Sequence, residues 1–382
     1  MTTDRPSLIP YGRQQIDDDD IAAVVDVLRG DWLTTGPAVD RFEQAFAELV
    51  GASHAVAVAN GTAALHLAML AAGVGPGDEV IVPTFTFAAS ANAARYVGAD
   101  VVFADVLHGT LGVDLEHVES LVTSRTRAIV VVDYAGIPCD LDDAMTLAEK
   151  HGIVVVEDAC HAVGASYRGR PVGSIATLST FSFHPVKHLT TAEGGMVTTE
   201  DAELARRLRR LRNHGIDTDL RTREQQGTWQ YDVVELGFNY RLSDLGCALG
   251  ASQVPKVRGW VERRRELADR YRTALSTLPL RLLEVPDDRE PSWHLFPVLV
   301  TDATPLGRDE LVEGLRSSGI GATLHYRPVH QHTLYRDLVD VVGTLPVAER
   351  AGADALTLPL WHGMTDAQQD RVVARLHELV GG

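Results

Sequence analysis

Through the first two thirds of the chain, short apolar or β-branched runs alternate with helical patterns. Ala55–Ala59 reads as a strand and Thr62–Ala72 as a helix of small residues; Glu79–Val82 is the next strand, with a helix over Ala88–Val97. Val101–Ala104, Ala128–Val132 and Ile153–Val156 are further strands, and a helical pattern at Leu141–His151 precedes the last of them. Unbroken apolar runs suit strands buried on both faces, and strands joined by crossover helices lie parallel. The pattern therefore predicts an α/β fold, with a mostly parallel sheet covered by helices on both sides.

Beyond about residue 250 the texture changes. A charged helix over Val261–Leu275 includes Glu262-Arg263-Arg264-Arg265-Glu266 and reads as a solvated face, with both charge signs at helical spacing. Pro279–Pro291 reads as a boundary loop and Trp293–Val300 as a strand. A helix at Arg308–Ser317, a strand near Ala322–Tyr326 and a last helix at Asp366–Val380 follow. At 382 residues the chain exceeds what one core usually holds, which predicts a large α/β domain over 1–250 and a smaller α+β domain over 251–382.

The charge balance narrows the partners. Thirty-five Lys and Arg against 52 Asp and Glu give 35 − 52 = −17, a surface that repels a phosphate backbone and an anionic membrane. General nucleic-acid binding is thereby disfavoured, and the apolar runs fall far short of the roughly 20 residues that span a bilayer. Cys139, Cys160 and Cys247 are too few and too scattered for a disulfide framework or a zinc site. The start of the sequence carries no apolar run of the secretory kind. The expectation is a soluble, cytoplasmic protein without a metal.

Three segments carry chemistry. Gly61-Thr62-Ala63-Ala64 follows a strand and opens a helix, where free N–H groups and the helix dipole favour an anionic phosphate. The same residues also suit an ordinary capped and packed helix. Gly73-Val74-Gly75-Pro76-Gly77 lacks the Gly-Lys-Ser/Thr ending of a P-loop and reads as a turn. Glu157-Asp158-Ala159-Cys160-His161 comes directly after the strand at 153–156, at the edge where parallel sheets bind ligands. A carboxylate there pairs with a buried cation or, more plainly, caps a helix.

The third segment, Phe181 to Gly195, contains one lysine, Lys187, between apolar runs. Desolvation lowers the pKa of a buried lysine and frees its amine for Schiff-base chemistry; a surface-loop lysine is the plainer alternative. His184 and His188 stand at i,i+4, but Pro185 bars the helix that a metal pair would need.

Taken together, these segments resemble a fold-type I pyridoxal-phosphate enzyme, and more narrowly the DegT/DnrJ/EryC1/StrS family of nucleotide-sugar aminotransferases. The matching stretches are Trp32-Leu33-Thr34-Thr35-Gly36-Pro37, Asn60–Leu65, Pro83-Thr84-Phe85-Thr86-Phe87, Glu157–Gly164, the Lys187 segment, Gly237–Asp244 and His325-Tyr326. They span nearly the whole chain. The resemblance implies that Lys187 forms the internal aldimine with pyridoxal 5′-phosphate and shuttles the proton, while Asp158 pairs with the ring nitrogen. It places His161 near the ring's phenolic oxygen and Phe87 on the ring face. Gly61, Thr62, Ala63 and Ser182 would hold the phosphate, completed by Asn239 or Arg241 of a second subunit in a homodimer with shared sites. His325, Tyr326 and Thr35 would face the substrate.

Within the family, Ile9–Gln14 and His184-Pro185-Val186-Lys187-His188 most resemble the pseudaminic-acid pathway aminotransferases. Those enzymes pass the amino group of L-glutamate to C4 of a UDP-linked 4-keto-6-deoxy-N-acetylhexosamine by ping-pong kinetics. Ala192 departs from the pattern, standing where a glycine often precedes Glu193-Gly194-Gly195. The alternatives are an aminotransferase for another nucleotide-linked keto-sugar or a keto-cyclitol, a sugar dehydratase, and a regulatory homologue without turnover. A dehydratase of this kind replaces the lysine with histidine, so Lys187 argues against it. An intact Asp158, His161 and Lys187 set argues against the regulatory homologue.

Overall fold

The computed structural model describes residues 8–218, 220–225, 227–336 and 344–381. The apolar runs become the strands β1 (His54–Val58), β2 (Glu79–Pro83), β3 (Asp100–Ala104), β4 (Thr126–Val132) and β5 (Val154–Asp158). After a small hairpin, β6 (Ser166–Tyr167) with β7 (Arg170–Pro171), come β8 (Leu178–Ser182) and β9 (Gly195–Thr199). One seven-stranded sheet has the order β1-β9-β8-β5-β4-β2-β3. Its pairs are parallel from β8 to β3, whereas β9 runs antiparallel to both β8 and β1. The β8–β9 connection, which carries Lys187, therefore folds back on itself without a crossover helix. Phe183 N–H donating to the Gly194 carbonyl, at 2.8 Å, closes its base.

The strand register sets the site. Val132 lies opposite Asp158, and Asp158 opposite Thr180, so Asp158 and Ser182 emerge together at the carboxyl edge. The helix Gly61–Ala71 is buried nearly all round against the sheet, which explains its run of small residues. On the other face, Phe42 and Phe46 of the helix Pro37–Val50 meet Phe181 and Phe183 edge to face, with centroids 5.0–5.2 Å apart across the sheet. That helix starts without a cap of its own. Asp244 supplies one, accepting from Gly36 N at 2.8 Å and Ala38 N at 3.0 Å. The Trp32–Pro37 and Gly237–Asp244 motifs are thus two halves of one structural joint.

The C-terminal third adds β10 (Leu280–Leu282), β11 (Arg289–Glu290), β12 (Phe296–Val300) and β13 (Ala355–Leu358). The first, third and fourth form an antiparallel sheet in the order β10-β12-β13, while β11 joins β6. The stretch Pro279–Pro291, expected as loop, thus carries two short strands. A regular strand at 322–326 is not formed: Thr323 makes one bridge to Thr357, after which the chain leaves the sheet and carries His325 and Tyr326 to the cavity described below.

The arginine-rich helix, Val257–Ala274, is also more than a solvated face. Its inner stripe is Val257, Val261, Arg264, Leu267, Ala268 and Tyr271, which puts Arg264 wholly inside. There Arg264 donates to the carbonyls of Trp293, His294 and Leu360 at 3.1–3.4 Å. Arg263 and Arg270 behave as the sequence pattern implies, pairing with Asp366 at the surface.

Phe46 is fully buried in the aromatic cluster, so Phe46→Ala should cost about 3–5 kcal/mol, read as a lower urea midpoint at unchanged slope.

Candidate active site

A cavity of about 410 Å³ opens at the carboxyl edge of the sheet. The ends of β4, β5 and β8 form its floor, and the turn Asn60–Thr62 forms one wall; His294, His325 and Tyr326 reach in from the C-terminal third. Parallel strands end here together, so their side chains converge where helix starts leave unpaired amides. Gly61, Thr62, Phe87, Asp158, His161, Ser182, Lys187, His325 and Tyr326 all line this one cavity.

Asp158 is held from both sides. Its Oδ2 accepts from Ser90 Oγ at 2.6 Å, and its Oδ1 from the Cys160 amide at 3.3 Å. Thr86 backs Ser90 at 2.8 Å. Behind Asp158, Asp133 and Glu157 are fully buried, and burial pushes both carboxyls up, Asp133 further through the neighbouring Glu157 charge. Lys187 sits across the cavity, its amine pKa lowered by burial and drawn partly back by Cys160 and Asp158. A lowered pKa makes the neutral, nucleophilic form of an amine easier to reach.

Three imidazoles surround the lysine. His161 Nε2 lies 3.1 Å from Tyr326 Oη, and His325 Nδ1 lies 2.9 Å from Thr357 Oγ1. Burial, and then the Lys187 charge, hold His161, His294 and His325 below the usual histidine range, His325 at about 4. All three are neutral at neutral pH. Phe87 stands at the mouth, more than half exposed, its ring 5.9 Å from that of Tyr326.

The remaining expected residues fall elsewhere. Asn60 caps the helix Gly61–Ala71 by accepting from Ala63 N at 2.8 Å, so the Ala63 amide is already taken. Gly61 and Thr62, in the first helical turn, keep amides that have no partner within the helix. Thr35 and Arg241 line a second cavity of about 450 Å³, with Arg209, Arg212, Arg221 and Arg223. Asn239 bridges to Asn213 beside it. These positions do not reach the first cavity from the same chain.

Sequence reasoning missed Ser90 and Tyr11, and it read His294 only as part of a strand. Ser90 lies in an alanine-rich helix with no local sign of its bond to Asp158, which only tertiary packing brings about. His294 had a signal, a histidine at the head of an apolar run.

The sequence matches the model of the DegT/DnrJ/EryC1/StrS aminotransferase family over residues 14–377. The fold is similar to that of Spr1654 from Streptococcus pneumoniae, described as a putative sugar aminotransferase and solved in apo, pyridoxal-phosphate and pyridoxamine-phosphate forms. The pyridoxamine-phosphate form has a TM-score of 0.92 and 32% identity over 97% of this chain and 98% of that one. DesV from S. venezuelae is 36% identical with a TM-score of 0.88, covering 97% of this chain and 98% of its own. PseC from Helicobacter pylori, an aminotransferase of pseudoaminic acid biosynthesis, is 30% identical with a TM-score of 0.91, over 98% and 100%.

The chain belongs to the DegT/DnrJ/EryC1/StrS aminotransferase family. It is a sugar aminotransferase that uses pyridoxal phosphate. The donor set fits that cofactor. A Cβ at Gly61 would meet Ser182 Cβ at 2.9 Å, so the glycine lets an anion-ready helix start close on a serine hydroxyl. A carboxylate and an amine of lowered pKa complete the set. Among the described residues no cluster of His, Cys, Asp and Glu is arranged to hold a metal ion, and no helix is long and apolar enough to cross a membrane.

The buried histidines also set a pH response. His325 takes up a proton near pH 6.5 when unfolded but only near pH 4 when folded, so acid favours the unfolded chain. Stability should fall from pH 6.5 to pH 4, and the fall should be shallower in His325→Gln, as read from urea midpoints across that range.

Proposed function

We propose that the protein transfers the amino group of L-glutamate to C4 of a UDP-linked 4-keto-6-deoxy-N-acetylhexosamine, in two half-reactions that use one pocket in turn. The observation that carries this reading is the juxtaposition of Lys187, Asp158 and the Asn60–Thr62 helix start around one cavity. Pyridoxal phosphate, when bound, supplies a carbonyl that accepts the amino group and a ring that takes up electron density. The Gly61 and Thr62 amides and Ser182 would hold its phosphate. Asp158, braced by Ser90, would keep the ring nitrogen protonated. Lys187 Nζ would take the α-proton of glutamate and give it up within the first half-reaction, and in the second would deliver a proton to C4 of the sugar, which suits an amine of lowered pKa. His161 and Tyr326 present neutral polar groups beside it, and Phe87 covers the mouth.

Two features support a homodimer with shared sites. Among the described residues no arginine lines the first cavity, although glutamate, the phosphate and a nucleotide diphosphate are all anions. The second gathers five arginines against Asp40 and Glu43. Offered by a second copy, Arg241 and Asn239 would complete the anion site, with Thr35 on the substrate side. A soluble cytoplasmic enzyme is consistent with the acidic surface.

The similarity to PseC favours the pseudaminic-type sugar over the alternative, another nucleotide-linked keto-sugar. Purified protein with pyridoxal phosphate, glutamate and two UDP-4-keto-6-deoxy-N-acetyl sugars differing at C5 decides between them. Release of 2-oxoglutarate with strong preference for the L-configured ketone is expected. Glutamate converting the cofactor to its amine form while neither sugar turns over would sink the substrate and leave the aminotransferase.

Lys187→Ala should lower turnover by about 10³-fold or more, and borohydride should no longer fix cofactor mass to the chain, as read by mass spectrometry. Mixing Lys187→Ala chains with Arg241→Ala/Asn239→Ala chains should restore about a quarter of native activity, because half the dimers then carry one intact site. No recovery despite proven subunit exchange would refute shared sites.

A further inference from the structure

His294 is placed with unusual care for a residue that no step has yet used. Trp293 before it has φ +51°, a left-handed conformation that is strained for a bulky side chain. Arg264, fully buried, donates to the carbonyls of Trp293 and His294 at 3.1 and 3.4 Å. The Ser292 amide donates to Gly136 O at 3.0 Å, and Ser292 Oγ to His161 O at 3.0 Å. Gly136 permits this approach. With φ +90°, it leaves space where a Cβ would meet His161 O and Ser292 Oγ at 2.7 Å and Trp293 N at 2.9 Å.

All of this presents one imidazole to the cavity. The His294 ring lines it and packs 4.5 Å from the His161 ring, tilted by 42°. His161 has Tyr326 Oη at 3.1 Å from Nε2, while its Nδ1 is buried without a hydrogen-bond partner. His294 and His188 in turn lie 5.6 Å apart, ring to ring. Strain and a buried guanidinium are retained where the surrounding structure uses them. Here they hold a neutral ring over His161 that adds no charge beside Lys187.

We propose that His294 is a positioning residue for His161: its ring packs on that of His161 and keeps the imidazole buried, with the Tyr326 hydroxyl as its hydrogen-bonding partner. The proposal rests on the aminotransferase reading for its kinetic consequence but not for its structural one. Lys187, His188 and His325 are the titratable groups whose charges act on His161; Lys187, His161, His188 and Arg264 are those that act on His294. Opening the site beside His161 relieves the burial that chiefly suppresses its protonation.

The test uses full-length protein with isotope-labelled histidine and two variants, His294→Ala, which opens the site, and His294→Phe, which keeps a ring there. In cofactor-free protein, NMR titration should show His161 protonating at higher pH in His294→Ala than in the native chain or in His294→Phe. In the holoenzyme, kcat should fall about tenfold to a hundredfold in His294→Ala, with KM for glutamate within about twofold, and His294→Phe should recover to within about threefold of native. An unchanged His161 titration in His294→Ala, a kcat within twofold of native, or a His294→Phe as slow as His294→Ala would each overturn the proposal. A native enzyme whose cofactor glutamate does not convert to the amine form would instead refute the aminotransferase reading, and the NMR comparison would still judge His294.

Discussion

An amine partly buried at the edge of a parallel sheet does not keep its proton as readily as one in solution, and the reaction proposed for this chain draws on that constraint. Lys187 sits in the connection between two antiparallel strands, where β9 turns back beside β8. Burial lowers its pKa, while Cys160 and then Asp158 limit the fall by favouring the charged form. The balance suits the role proposed for Lys187, an amine that is both nucleophile and proton carrier. A lysine in open solvent would stay charged, and one buried without a carboxylate nearby would have its pKa lowered further.

The rest of the site protects that balance. Ser90 and the Cys160 amide spend hydrogen bonds on Asp158, holding it towards the cavity. The histidines around Lys187 are buried deeply enough to stay neutral, so they offer polar contacts without competing positive charge. The C-terminal third closes the cavity with His294, His325 and Tyr326. It is fastened to the first two thirds of the chain by short links, β11 on the β6–β7 hairpin and Ser292 on Gly136 and His161. The start of the described chain belongs to the same fastening, since Ile9 exchanges backbone hydrogen bonds with Gly319 and Gly321.

Much of this architecture was legible from the residues. The apolar runs marked all five strands from β1 to β5, and the helices at 141–151, 308–317 and 366–380 begin and end as their patterns imply. These elements carry their own signals, in β-branched runs, acidic first turns and glycine stops. The misreadings have a common cause. Arg264 looks like its exposed neighbours in sequence, and only its place on the inner stripe of the helix buries it. Residues 322–326 have strand-like composition, but only Thr323 bridges to β13 before the chain turns towards the cavity with His325 and Tyr326. Asp244 reads as part of a family motif, and only the fold shows it capping a helix that begins more than two hundred residues earlier.

The sequence by itself determined the class of fold and singled out Lys187 and Asp158, at the end of β5, because each depends on local pattern or on a motif whose residues lie side by side. Tertiary structure alone decided which residues brace the acid, which cavity Thr35 and Arg241 line, and how His294 meets His161. Those facts depend on distances between segments far apart in the chain. Such distances are set by the register of strands and the packing of layers, which no single stretch of sequence encodes.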